Sequence, residues 1–349
     1  MMDALGLRLP IFQAPMAGVS TPQLAAAVSN AGGLGAIGVG ATDAAGSAEM
    51  IAETRAATDG PFNVNVFSHE TPQPDPEAEQ AWLDLLHPLF AEFDAAPPAR
   101  LRTIYRSFDD DPDLLALLIE TRPAVVSFHF GLPGAQAVRA LRDAGITLLA
   151  TATNTDEGRR IKAAGLHGIV AQGIEAGGHR GVFDCRAPDP QLGTLALTRL
   201  LTAELDMPVV AAGGIMDGAG IAAALRLGAV AAQLGTAFID CPESAADAAY
   251  RAALHGPGGY RTRLTSVISG RPARALENRF TAEDSVARHG TPPAYPIAYD
   301  AGKALNAAAK AAGEHGFGAQ WAGQGAPLAR TLPAAELVAT LARELEAHR

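Results

Sequence analysis

Eight short apolar runs alternate with helix-forming stretches, and this pattern constrains the chain's fold more than any other feature. The runs, at residues 11–16, 34–40, 62–67, 124–130, 147–152, 168–173, 208–214 and 229–238, read as fully buried parallel strands. Most of the stretches between them, such as 22–31, 157–164 and 218–227, are rich in Ala, Leu and Arg and have helical character. Eight alternating units predict an α/β fold, and within it a (β/α)8 TIM barrel in preference to a doubly wound sheet. At 349 residues the chain exceeds the roughly 250 of a plain barrel, so a second, smaller lobe is expected. Residues 1–240 are assigned to the barrel, completed by a C-terminal helix within 331–349. Residues 241–330 show no clear buried strand and are rich in Gly, Pro, Arg and Ala, so they predict a mostly helical lid or substrate lobe. The long connection 68–123 predicts extra helices around 82–93 and 111–121, with an irregular stretch over 70–79.

Barrel active sites lie at the C-terminal ends of the strands, and the residues there are informative. After the sixth run comes Gln172-Gly173-Ile174-Glu175-Ala176-Gly177-Gly178-His179-Arg180-Gly181. Small residues let a backbone approach a flat or charged ligand closely. An imidazole beside that ligand ordinarily titrates near neutral pH and can move a proton, so His179 is the candidate catalytic residue. The seventh and eighth runs end in Gly213-Gly214 and Gly235-Thr236. Loops at these two places commonly hold a phosphate on backbone N–H groups, helped by a helix N-terminus. The first run ends in Gln13-Ala14-Pro15-Met16-Ala17-Gly18, which can pack against a planar ring or simply turn into a helix capped by Thr21.

Polar residues inside apolar runs need partners. Asn65 in the third run, Gln172 in the sixth and Gln233 in the eighth place three amides at one barrel mouth, which favours a heterocyclic cofactor. His129 ends the fourth run and points either at the mouth or into a helix interface. Tyr295, Tyr299 and Lys303 are spaced i, i+4, i+8 around Pro296, where a helix can start. On one helix face, two phenols and an ammonium make a receptor for a small anion. Lysine occurs only at Lys162, Lys303 and Lys310, so its placement here is informative.

Other chemistries are excluded. Gly33-Leu-Gly35-Ala-Ile-Gly38 matches a dinucleotide motif, but it follows a helix and enters a strand, the reverse of the required context. Two cysteines and the lack of an HExxH or Cys/His cluster give no metal site. A net charge of −10 without a basic run argues against nucleic acid. With no secretory h-region or membrane-spanning apolar stretch, a cytoplasmic location is expected.

Together, Gln13–Gly18, 173–181, Ala211-Ala-Gly-Gly-Ile215 and Gln233-Leu-Gly-Thr-Ala-Phe238 resemble the nitronate monooxygenase family, formerly called 2-nitropropane dioxygenases, over nearly the whole chain. The Tyr295/Tyr299/Lys303 segment is similar to the signature of its class I members. The resemblance implies an FMN-binding barrel that oxidises alkyl nitronates, such as propionate 3-nitronate, with O2 and without a nicotinamide reductant. It implies that His179 is the active-site histidine and that Tyr105 lines the substrate pocket. With the strand-end reading, His129 is assigned to the substrate, and Ala14, Pro15, Met16, Asn65, Gln172, Gly177, Gly178, Gly213, Gly214, Gln233, Gly235 and Thr236 to FMN. One departure is Ala150-Thr151, where some relatives carry a lysine near the flavin. Two alternatives stay open: an NADH-dependent FMN reductase of quinones or enoyl thioesters, and a flavin-free phosphate-binding isomerase or lyase.

Overall fold

The computed structural model describes residues 1–282 and 290–348. Eight parallel strands form one sheet: β1 (Ile11–Gln13), β2 (Gly35–Gly38), β3 (Phe62–Phe67), β4 (Val125–His129), β5 (Thr147–Ala152), β6 (Gly168–Gln172), β8 (Val209–Ala212) and β9 (Ala231–Leu234), with β7 (Gly178–His179) lying outside it. The order is β1-β9-β8-β6-β5-β4-β3-β2, and a parallel bridge from Phe12 to Leu34 brings its two ends together. The expected (β/α)8 barrel is therefore present, with every predicted run contributing one strand.

Side-chain packing explains the closure. At the N-terminal end, Phe12, Leu34, Val125, Leu149, Val170 and Val210 fill the barrel, and Met1, Met2, Leu5 and Leu7 plug it from below. The glycines that mimic a dinucleotide motif serve this packing. A Cβ on Gly35 would stand 1.9 Å from the Ala25 carbonyl oxygen, so only glycine lets the helix Pro22–Asn30 lie on β2. That helix starts as its sequence requires, with the Thr21 hydroxyl accepting from Leu24 N–H at 3.0 Å and Pro22 in the first turn.

The final helix, Ala334–Ala347, returns to the barrel wall. Its Leu337, Val338, Leu341 and Leu345 are fully buried against Leu24, Val28 and Ile221. Each such side chain contributes about 1.5–3 kcal/mol.

The connection after β3 holds the helices Pro76–Ala91 and Pro112–Thr121. The first begins inside the stretch expected to be irregular, because Asp75 caps it and Pro76 is pre-set for a first turn. It packs Trp82, Leu83 and Leu86 against Ile297, Ala301 and Leu305 of the helix Ile297–Ala311.

The expectation that residues 241–330 hold no buried strand is corrected. β10 (Arg263–Thr265) and the fully buried β11 (Ala273–Ala275) form an antiparallel sheet with β7, in which Ala273 opposes His179 and Arg274 opposes Gly178. Three residues show no readable alternation, and alanine is a poor strand former, so pairing rather than propensity makes β11. Residues 283–289 of the expected lid and Arg349 of the expected final helix lie outside the described residues.

Candidate active site

A cavity of about 710 Å³ opens at the C-terminal ends of the barrel strands. Its lining includes every site residue expected from the sequence: Ala14, Pro15, Met16, Asn65, Tyr105, His129, Gln172, Gly177, Gly178, His179, Gly213, Gly214, Gln233, Gly235, Thr236, Tyr295, Tyr299 and Lys303. The lining also holds residues not singled out by the sequence as ligand contacts, among them Ser127, Thr151, Asn306 and Trp321. Ser127 was legible: it shares β4 with His129 at even spacing in an otherwise apolar run. Trp321 makes an isolated antiparallel bridge to Ala275 of β11 and carried no such signal.

The glycine turns after β8 and β9 are built to leave N–H groups free. Gly213 and Gly214 have φ of 124° and 70°, a region that favours glycine. A Cβ on Gly213 would lie 2.6 Å from Thr194 Oγ1. The N–H groups of Gly213, Gly214 and Gly235 donate to no acceptor among the described residues. The neighbouring loop is locked in place. The Glu175 carboxylate accepts from the Thr194 N–H and hydroxyl at 2.9 Å, and the Glu175 carbonyl accepts from Gln324 N–H at 2.9 Å. Thr236 Oγ1 accepts from Gly323 N–H at 2.9 Å. These free N–H groups are donors that an anion can take, whereas the first N–H groups of the helix Gly218–Arg226 are already taken by the Glu344 and Asp217 carboxylates.

The three amides have different duties. Asn65 Nδ2 donates to Ser127 Oγ at 2.8 Å and to the Ser127 carbonyl at 3.0 Å, which ties β3 to β4. Gln172 donates to the His179 carbonyl at 2.9 Å and accepts from Gly181 N–H at 2.8 Å, so it shapes the loop that carries His179. The Gln233 amide has no partner among the described residues and is open to the cavity.

His129 Nε2 lies 3.1 Å from the His179 carbonyl oxygen, which can only accept, so Nε2 carries the proton. Nδ1 then accepts from the Thr151 hydroxyl at 2.9 Å. Thus the His129 ring, held by Thr151, positions the His179 backbone. His179 Nε2 is 2.9 Å from Ser269 Oγ, which leaves Nδ1 without a partner among the described residues.

His179 packs at ring distances of 5.5 Å from Phe130, 5.4 Å from Tyr295 and 5.0 Å from Trp321. Burial among these rings, with the charges of His129 and Arg271, lowers its pKa to about 3, and burial lowers that of His129 to about 4. The expectation that His179 titrates near neutral pH is corrected: both imidazoles are neutral there.

Tyr295 lies outside the helix expected to carry it. The helix runs Ile297–Ala311 and starts after Pro296, because a residue preceding proline is pushed toward extended backbone. Tyr299 and Lys303 are on the helix, and Tyr295 joins them from the preceding turn. Tyr105, Tyr295 and Tyr299 cluster at 5.9–6.5 Å between ring centres. Burial raises the pKa of all three phenols, that of Tyr105 to about 12, so all are hydrogen-bond donors. The Tyr295 hydroxyl is buried without a partner among the described residues. Lys303 Nζ stands 5.1 Å from the Tyr105 ring and 5.6 Å from that of Tyr299, and has no carboxylate partner among the described residues. By contrast, Lys310 is paired with Asp247 at 2.5 Å.

A family model described as nitronate monooxygenase matches residues 1–344. The chain belongs to the nitronate monooxygenase family. It is 62% identical over 346 residues to a nitronate monooxygenase of Paraburkholderia phytofirmans, covering 99% of this chain and 94% of that one. It is 60% identical to a nitronate monooxygenase of Pseudomonas aeruginosa, covering 98% and 97%. Among solved structures, nitroalkane oxidase from Streptomyces ansochromogenes matches with a TM-score of 0.90 at 43% identity, covering 100% of this chain and 98% of that one. FabK from Thermotoga maritima matches at 0.74 and 29%, covering 99% and 95%. The nitronate monooxygenase family is a group of flavoprotein oxidoreductases, and the reductase and flavin-free alternatives are not favoured. Among the described residues, no helix is long and apolar enough to cross a membrane, and no cluster of His, Cys, Asp and Glu suits a metal.

Proposed function

We propose that the protein oxidises alkyl nitronates, such as propionate 3-nitronate, with O2, using FMN as its flavin. The observation that carries this reading is the pair of unpartnered donors in one cavity, the buried Tyr295 hydroxyl and the Lys303 ammonium. A small planar anion matches both by charge-assisted hydrogen bonds.

The chain fits FMN. The free N–H groups of Gly213, Gly214 and Gly235 suit one terminal phosphate, the unpartnered Gln233 amide suits a heterocycle edge, and Ala14, Pro15 and Met16 offer small and apolar surface to a ring. Asn65, Gln172, Gly177, Gly178 and Thr236 complete that contact set. When bound, the flavin supplies the electron-accepting ring. The protein's residues bind, orient and shield the substrate around it.

Tyr105, Tyr299 and the part-buried His129 wall the substrate side. His179 presents its neutral Nδ1 there as an acceptor. With a pKa of about 3 it is a weak base, which suits a substrate whose carbon acid is already deprotonated. The barrel, residues 1–240 with the final helix, is assigned to flavin binding and 241–330 to covering the substrate. The free cysteines, Cys185 and Cys241, suit a reducing cytoplasm.

The test is anaerobic mixing of the purified yellow protein with a nitronate and, separately, with NADH. Rapid bleaching of the flavin band by nitronate alone is expected. Bleaching by NADH alone would transfer the assignment to a reductase. Heat release should yield FMN rather than FAD.

A further inference from the structure

Arg271 is 6% exposed and sits on the loop between β10 and β11, outside the cavity lining. Its guanidinium donates to the Val182 carbonyl, while its Nε has no partner among the described residues. No carboxylate among the described residues lies within ion-pair distance of it, whereas the equally buried Arg180 is clamped by Asp189 at 2.8 and 3.0 Å. A buried charge is normally paired, so the missing counterion asks for a reason. Arginine keeps its charge even here, where burial works against it.

The guanidinium carbon stands 4.2 Å from the centre of the Phe130 ring. The same ring borders the active site: Phe130 is 5.5 Å from His179 and 5.2 Å from Tyr295. These steps place the charge within about 10 Å of both functional rings. Phe130 itself has φ of 77°, uncommon for a bulky residue, and such outliers cluster at functional sites.

We propose that Arg271 is a second, fixed positive charge bordering this site, a positioning residue packed on Phe130 that favours anionic substrates over their neutral conjugate acids. The proposal deepens the nitronate reading and rests on it for the substrate.

The groups facing Arg271 are consistent with that role. His69, His129 and His179 are all held neutral in part by its charge. Tyr295 stays protonated because burial outweighs the guanidinium. The nearby acids are engaged elsewhere, Glu157 with Thr153 and Phe183 N–H, and Asp184 with Arg186. Burial raises the pKa of the Cys185 thiol, which keeps it uncharged. A unit charge about 10 Å away in a medium of effective dielectric near 20 shifts anion affinity on the order of ten-fold.

The holoenzyme is titrated calorimetrically with nitrate, a planar anion that does not react, in the wild type, Arg271→Gln and Arg271→Lys. Glutamine keeps a donor for Val182, and lysine keeps the charge. Arg271→Gln should bind nitrate about ten-fold more weakly and Arg271→Lys close to normally, with the difference persisting at high salt because the charge is buried. In parallel, kcat/KM for a nitronate should fall about ten-fold in Arg271→Gln while that for the neutral nitroalkane changes little. Equal nitrate affinity in wild type and Arg271→Gln, or a lysine variant indistinguishable from glutamine, overturns the proposal. Should Arg271→Gln not fold, Arg271→Met, which removes the charge but keeps a stem over Phe130, replaces it. A wild type that oxidises no nitronate sinks the functional reading, yet the nitrate comparison still decides the role of Arg271.

Discussion

Replacing Tyr295 with phenylalanine should move stability and substrate binding in opposite directions. The Tyr295 ring is wedged among Phe130 at 5.2 Å, His69 at 5.0 Å and His179 at 5.4 Å, and phenylalanine preserves those contacts. What disappears is a buried hydroxyl without a protein partner. Leaving such a group unsatisfied costs about 1–3 kcal/mol, so Tyr295→Phe should leave stability unchanged or raise it by up to that amount. A nitronate that uses the hydroxyl loses a hydrogen bond to a charged group, about 1.5–3 kcal/mol, or roughly 10–150-fold in affinity. Urea unfolding at saturating flavin measures the first quantity, and the nitronate KM at constant flavin content measures the second. Flavin occupancy must be followed as well, since ligand release would itself lower stability. A variant destabilised by about 1 kcal/mol or more with an unchanged KM would refute the reasoning, because the hydroxyl would then serve the fold.

Other perturbations test separate parts of the site. Lys303→Met should weaken nitronate binding roughly 10–150-fold while flavin stays bound; an unchanged KM would make this helix face merely solvated. Gly214→Glu should give apoprotein, because it adds bulk at φ 70° and places a second carboxylate beside Glu175 at the free N–H groups; full flavin content would remove the anion site. Stability should fall steeply as pH drops below about 6.5. The folded pKa values of His69 and His129 are about 4 and that of His179 about 3, against 6.5 for the ordinary imidazole. The unfolded chain therefore binds protons first. Each histidine contributes stability that is full above 6.5 and is lost toward its folded value, at roughly 1.4 kcal/mol per pH unit. A flat urea midpoint between pH 7 and 5 would show that these rings are not buried and neutral.

The barrel was legible because its strands are buried on both faces and so appear as unbroken apolar runs, which differ sharply from the Ala- and Arg-rich helices. Gly213-Gly214 and Gly235-Thr236 were legible for the same reason: they end those runs. The small sheet of β7, β10 and β11 was not legible. Its strands have two or three residues each, and β7 lies about ninety residues from β11, its partner in the sheet. Ser269 and Arg271 were hidden with it, since a serine or arginine in a Gly- and Pro-rich segment resembles a solvated loop. The ionisation of His179 was hidden too. Its neutrality depends on Phe130, Tyr295 and Trp321, three rings brought together only by the fold.

The polar side chains at the barrel mouth show how scaffold and receptor divide the same chemistry. Gln13 is buried, donates to Ser20 Oγ at 2.8 Å and accepts from Ala36 N–H at 2.7 Å, which fastens β1 to β2. Asn65 fastens β3 to β4, and Gln172 fastens β6 to the His179 loop. These amides are constrained by strong internal partners, so exchanging any of them for an apolar residue would strand a buried donor or acceptor. Gln233 has no such partner, and neither do the Tyr295 hydroxyl or the Lys303 ammonium. Where the amides beside them are tied into the scaffold, groups left open to the cavity are the ones whose partners arrive with the ligand. The receptor is therefore identified less by which polar residues line the mouth than by which of them the fold leaves unsatisfied.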